Sequence, residues 1–148
     1  MSNKYTAIVR KKLSLPMKVI SPYLCGRCLD YGCGRGFDAM FLGIESYDPH
    51  WKPDKPVGKY DVITCNYVLN VVGINEQKDI IDNIISLLNT GGTSYFTVRR
   101  DIKKDYVVRD YVQRVVTLPF EVFHESRNKF IIYKLKMEDL QSGNVTVC

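Results

Sequence analysis

The chain has 148 residues and no apolar run of the roughly 18–20 residues that a membrane-spanning helix needs. An uninterrupted apolar segment near its start is also missing, because Lys4, Arg10, Lys11 and Lys12 break it up. No signal peptide and no membrane partner are therefore expected, and the expected location is cytoplasmic. Histidine is scarce: only His50 and His124 occur, and neither stands in a pattern with serine or cysteine that would build a nucleophilic triad. There is no internal repeat and no low-complexity tract, which excludes a solenoid and leaves one domain spanning residues 1–148. Acid is missing from the start of the chain. No aspartate or glutamate precedes Asp30, whereas Lys4, Arg10, Lys11, Lys12, Lys18 and Arg27 all do.

That asymmetry says more than the net charge of +5, from 21 basic and 16 acidic side chains. Residues 1–22 read as a basic arm, and Arg99, Arg100, Lys103 and Lys104 form a second basic stretch. Both the arm and the Arg99–Lys104 region are expected contacts for nucleic acid or another polyanion. A solvated face that aids solubility accounts for the same charges, and no aromatic-interleaved RNA signature accompanies them. The 45% apolar and 25% charged residues are those of an ordinary globular protein.

Five cysteines are present, an odd number, and Cys25, Cys28 and Cys33 crowd together. Cys25-x-x-Cys28 suggests zinc or redox chemistry. No second CxxC or histidine pair completes a site, and Cys28 opens a strand while Cys33 sits in a turn. Reduced thiols without a metal are expected.

The order of elements predicts the fold. "RCLDYG" is a short strand entering a glycine turn, "FDAMFLG" a two-turn helix stopped by Gly43, and "IESYD" a second strand. "HWKPDKPVGK" is a loop, and "YDVITCNYVLNVV" is a buried strand that ends in a short helical segment. In "NEQKDIIDNIISLLNTGG" the isoleucines and leucines recur at helical spacing, with Asn75 as the expected N-cap and Gly91-Gly92 as the expected stop. "TSYFTVRR" is the next strand. Residues 101–116 fit a helix or an edge strand. "LPFEVFHES" and "KFIIYKLKM" are paired strands with a turn near Arg127-Asn128, and the tail 141–148 is expected to fray. Alternating strands and helices imply an α/β fold: a mostly parallel sheet covered on both faces, with a C-terminal antiparallel hairpin at one edge.

In such sheets ligands bind beyond the carboxyl ends of the strands. Asp30 ends the first strand, and Gly32, Gly34 and Gly36 follow. The spacing is G-x-G-x-G, not the dinucleotide pattern G-x-G-x-x-G, and a carboxylate before the turn opposes a pyrophosphate but suits a cation. Asp48 ends the second strand, where a carboxylate can accept both hydroxyls of a ribose. A ligand with a positive centre and a ribose fits the pair. Ordinary capping or turn roles are the bland alternative for both acids.

"LDYGCGRG" resembles the first motif of class I S-adenosylmethionine-dependent methyltransferases. "SYDPH" looks like their second-strand acid, "YDVITCNYVLNVV" their fourth-strand region, and "LLNTGGTSYFTV" their last helix, Gly-Gly and strand. More narrowly, "YTAIVRKKLS", "LDYGCGRGFD", "YDPHW", "NYVLNVV", "SYFTVRRDIK" and "YVQRVV" look like methyltransferases associated with DNA phosphorothioation systems and their short phage or bacterial relatives. The resemblance implies a Rossmann-like methyltransferase fold, S-adenosylmethionine as cofactor and transfer of a methyl group to an acceptor, nucleic acid or a small molecule. It implies that Gly32, Gly34, Gly36 and the helix start line the methionine part of the cofactor, that Asp30 orients its ammonium and that Asp48 holds its ribose. Asn66 and Tyr67 would face the methyl and the acceptor, with Asn70 a further catalytic candidate, and Tyr67 serves equally as packing.

The sequence also departs from the family. The loop at 52–58 leaves little room for the usual third strand and its helix, so the sheet is expected to be reduced. The acid that often contacts adenine has only Asp54 as a loose counterpart, and Pro49, His50 or Trp51 would grip the adenine instead. No D/N-P-P-Y motif follows the fourth-strand region, which argues against an exocyclic amino group of DNA as target. A catalytically degenerate module that binds S-adenosylmethionine or nucleic acid is the alternative to an enzyme.

Overall fold

The computed structural model describes residues 10–109 and 111–138. The predicted tail lies outside these residues, as does the first part of the basic arm. The core is a sheet of six strands in the order β2-β1-β3-β4-β8-β7. Its members are β1 (Cys28–Tyr31), β2 (Glu45–Tyr47), β3 (Tyr60–Asn66), β4 (Leu88–Arg99), β7 (Glu121–Ser126) and β8 (Phe130–Lys136). β2, β1, β3 and β4 pair in parallel, while β8 runs antiparallel to both β4 and β7. The mostly parallel sheet and its closing hairpin match the sequence expectation. So does the missing strand: among the described residues, the chain between β2 and β3 adds no strand to the sheet.

Strand residues alternate between two cores. Leu29, Ile63, Phe96 and Ile131 pack on the face covered by α3 (Ile74–Leu87), which contributes Ile80 and Ile84. Cys28, Val62, Tyr95 and Ile132 pack on the opposite face with Met17 and Ile20 of α1 (Leu15–Ile20). A strand buried on both sides has no solvent face to spend on polar residues, which is why β3 reads as a nearly continuous apolar run.

Short helices survive here because their ends are satisfied. Ser14 caps α1 by accepting from the Met17 amide, and Pro16 pre-sets the first turn. α2 (Phe37–Leu42) ends at Gly43 in the left-handed conformation, with the Gly43 and Ile44 amides closing on Met40 and Ala39 carbonyls. Ser14 is tied across to α2, since its amide and hydroxyl donate to Asp38 at 2.9 and 2.6 Å. That link fixes α1 beside the glycine turn.

Two boundaries differ from the sequence expectation. α3 starts after Gly73, so Asn75 lies inside the helix. It then passes directly into β4 at Leu88, and Gly91-Gly92 lie within β4. The register shows why: Tyr60 pairs with Leu88 but Val62 with Thr93, so the residues between bulge out of the ladder. At Gly92 an added Cβ would stand 2.9 Å from the Asn89 carbonyl and 3.1 Å from that of Tyr60. The glycine answers a close backbone approach, not a helix stop. The ambiguous stretch after Asp101 is a separate hairpin, β5 (Tyr106–Val108) and β6 (Tyr111–Gln113).

Candidate functional site

The chain runs from β1 outward to β2 and then crosses back to β3 on the other side of β1. A crevice opens at such a reversal, beyond the carboxyl ends of the strands. Asp30 at the end of β1, the glycine turn, Asp48 after β2, and Asn66 and Tyr67 at the end of β3 all lie on this edge. Gly32, Gly34 and Gly36 all have positive φ, at 79, 59 and 84°. The turn is pinned from beneath, as the Gly32 and Cys33 amides both donate to the Tyr47 carbonyl.

Asp48 is buried and already engaged. Its Oδ2 accepts from the Gly34 amide at 3.0 Å, and its Oδ1 accepts from the amides of His50 and Trp51 at 2.9 and 3.2 Å. It therefore locks the glycine turn to the loop after β2, and its remaining acceptor capacity is chiefly on Oδ2. Pro49, His50 and Trp51 form the turn that follows, with Arg35 of the glycine turn stacked 4.3 Å over the Trp51 ring.

Asp30 is buried and accepts from the Thr64 hydroxyl at 2.9 Å. Burial pushes its carboxyl up to about 7, reinforced by the nearby charges of Asp38 and Asp48 and opposed by the Thr64 bond and by Arg10. Three carboxylates share this corner, so a cation is the favoured guest. The same burial, with Asp30 and Asp48 beside it, pushes the Cys33 thiol up to about 12, which makes it a poor nucleophile.

Beside the three acids are two buried donors without a partner, Trp51 Nε1 and Asn66 Nδ2. Asn66 uses its other end, Oδ1, to accept from Thr97 at 2.6 Å. Orphaned donors near paired acids suit a ligand that carries both acceptors and a positive charge. S-adenosylmethionine has that donor and acceptor set, so the residues present fit it.

Tyr67 has φ 60°, unusual for a non-glycine residue, and its ring meets Phe130 edge-on at 6.4 Å. Burial pushes its hydroxyl up to about 12. It borders a cavity of about 490 Å³ between the ends of β3 and β4, α1, β6 and the β7–β8 turn. Asn70, named in the sequence as a catalytic candidate, is fully buried and serves as a brace: its Nδ2 donates to the Arg114 carbonyl at 2.7 Å and its Oδ1 accepts from the Arg99 amide at 3.0 Å.

The second basic stretch is partly turned inward. Arg99 forks onto Asp101 with both bonds at 2.7 Å, and Arg100 donates to the Val116 carbonyl and the Tyr133 hydroxyl. Lys103 and Lys104 remain exposed. Asp54 is exposed in the loop before β3, and His124 lies in β7 against Phe130. Cys28, Cys33 and Cys65 are free thiols, whereas Cys25 is disulfide-bonded, a correction to the reduced state expected there. No cluster of metal-ligating side chains occurs among the described residues, and none of their helices is long and apolar enough to cross a membrane.

Gln113, Lys129 and Phe130 were not visible as site residues in the sequence. They come from segments far apart in the chain, and only the fold brings them to one cavity.

Among solved structures, the 1,6-didemethyltoxoflavin-N1-methyltransferase of Burkholderia thailandensis is similar, with TM-score 0.63, 15% identity and coverage of 84% of this chain and 78% of that one. An S-adenosylmethionine dependent methyltransferase from Mesorhizobium loti is similar with TM-score 0.59 and 13% identity, over 80% of this chain and 96% of that one. The match to PKMT2 from Rickettsia typhi, at TM-score 0.41 and 20% identity, covers 49% of this chain and only 21% of that longer one. Likeness at such identity concerns the fold. No curated protein matches the chain in sequence. A family model described as a methyltransferase domain matches residues 9–123. That span holds the whole parallel core from β1 to β4 and the turn between them, and the chain belongs to the methyltransferase domain family.

Proposed function

We propose that the protein uses S-adenosylmethionine to methylate an acceptor bound beside Tyr67. The observation that carries the reading is the acid pair Asp30 and Asp48 on either side of a left-handed glycine turn, at the point where strand order reverses. The cofactor supplies an electrophilic methyl on a sulfonium: the acceptor's lone pair bonds to it, the sulfur keeps the electrons of the broken bond, and any acceptor proton passes to solvent. Asp30 and its acidic neighbours hold the positive end, with Arg10 displaced from their field. Asp48 offers Oδ2 to a ribose hydroxyl, while Gly32, Gly34 and Gly36 admit the ligand to the main chain. Pro49, His50 and Trp51 bound the adenine side, and Trp51 Nε1 has a hydrogen bond to give. Asn66 Nδ2 and Tyr67 orient donor and acceptor. Catalysis by positioning needs no strong general base.

The segments "YTAIVRKKLS" and "SYFTVRRDIK" support kinship with phosphorothioation-associated methyltransferases and their short phage or bacterial relatives. The test is incubation of the protein with methyl-labelled cofactor and separate pools of small metabolites, tRNA, DNA and protein. Label should move into one pool. Cofactor binding without transfer to any pool would contradict the enzyme reading and favour a cofactor-binding module.

A further inference from the structure

We propose that the cavity beside Tyr67 takes a small, ring-bearing organic acid with an N–H or O–H donor, and that this acid is the methyl acceptor. The second half of that statement rests on the methyltransferase reading; the first does not. The cavity measures about 490 Å³, in the range of pockets that enclose one small molecule. Leu15, Tyr67, Val71 and Phe130 give it apolar walls, and the edge-on Tyr67–Phe130 pair suits a flat ring.

The charges choose the sign of the guest. Arg99 is already satisfied by its fork onto Asp101, so that pair is neutral as a unit. Lys129, in the β7–β8 turn, also lines the cavity, and no carboxylate pairs with it among the described residues. Among the described residues that line the cavity, the unpaired Lys129 ammonium calls for an anion on the ligand. The third observation is Gln113, whose Oε1 is buried without a hydrogen-bond partner. An orphaned acceptor on a residue that lines a cavity is a place for a ligand donor. Among the described residues, apolar walls, the Lys129 ammonium and the Gln113 acceptor describe a hydroxy- or amino-substituted ring acid. A nucleic acid chain would instead need an open, basic track, and Arg99 and Arg100 both already bond partners within the chain.

2-Aminobenzoate is the probe: a ring, one carboxylate and one N–H donor. Aniline lacks the acid, and benzoate lacks the donor. Calorimetric titration of the full chain should show 2-aminobenzoate binding about tenfold tighter than aniline. Lys129→Gln, a change on an exposed turn, should weaken 2-aminobenzoate about fivefold and leave aniline unchanged. Gln113→Leu should cost 2-aminobenzoate more than benzoate. Equal binding of aniline and 2-aminobenzoate, or indifference of the acid to Lys129→Gln, would overturn the assignment. So would displacement of the acid by a single-stranded decanucleotide, which would give the pocket to nucleic acid. A parallel titration with S-adenosylmethionine separates the two readings. Cofactor binding with no acid binding overturns this inference alone, whereas acid binding with no cofactor binding overturns the methyltransferase reading and leaves the acid pocket standing.

Discussion

Asp30 is buried at a cost to its charged form. Its carboxyl titrates near 3.8 when unperturbed and near 7 in the fold, chiefly because it is buried. Between those pH values the folded state holds a proton that the unfolded chain has released, so stability is greatest on the acid side and falls as pH rises from about 4 to about 7. Asp30→Asn removes that penalty and keeps an oxygen for the Thr64 hydroxyl. The variant should melt roughly 5 °C higher than the wild type at pH 8 and almost equally at pH 4, by calorimetry. It should also bind S-adenosylmethionine about tenfold more weakly. A residue that costs stability and gains affinity is doing functional service. The wild-type affinity should rise as pH climbs through 7 and Asp30 ionises, then fall as the ligand amine loses its proton above roughly 8. Asp30→Asn should flatten the acid limb of that profile. The two strand-end acids were legible in the sequence because their position follows from short apolar runs ending in a carboxylate. The amides that engage Asp48 were not, since their directions depend on the fold of the loop after β2.

The elements that shape the cavity beside Tyr67 are braced by Asn70. Asn70, on the short 3-10 turn Leu69–Val71, ties the end of β4 to the segment after β6, and the Arg114 amide returns a bond to the Asn70 carbonyl at 2.7 Å. Asp105 adds a bond from the Val115 amide at 2.8 Å. Asn70→Ala leaves two backbone groups without their partner. It should cost about 2–4 kcal/mol in urea unfolding. Hydrogen exchange should speed up most in the β5–β6 hairpin, and 2-aminobenzoate should be lost before the cofactor. A loss confined to the β1–β3 edge would contradict this role. The sequence carried β1, α2, β2, β3 and the β7–β8 pair because each has its own period and its own stop. The β5–β6 hairpin was ambiguous because it packs through backbone-to-side-chain braces rather than an apolar stripe. The end of α3 was misplaced because Gly91-Gly92 looks like a helix stop, while its cause is the approach of the Tyr60 carbonyl across the sheet.

At the scale of the molecule, the sheet keeps the half of the fold that holds the switch point and drops the strand beyond β2. Arg10 bears electrostatically on both Asp30 and Tyr67, between the two predicted sites. A cationic cofactor must displace that charge, and binding should weaken only slightly with added salt. The most direct test is calorimetric titration of the full chain with S-adenosylmethionine, alongside Asp48→Ala and Asp30→Asn. One site per chain is predicted, with affinity lowered about tenfold or more by each substitution. No binding by the wild type, or equal affinity in all three proteins, would contradict the account.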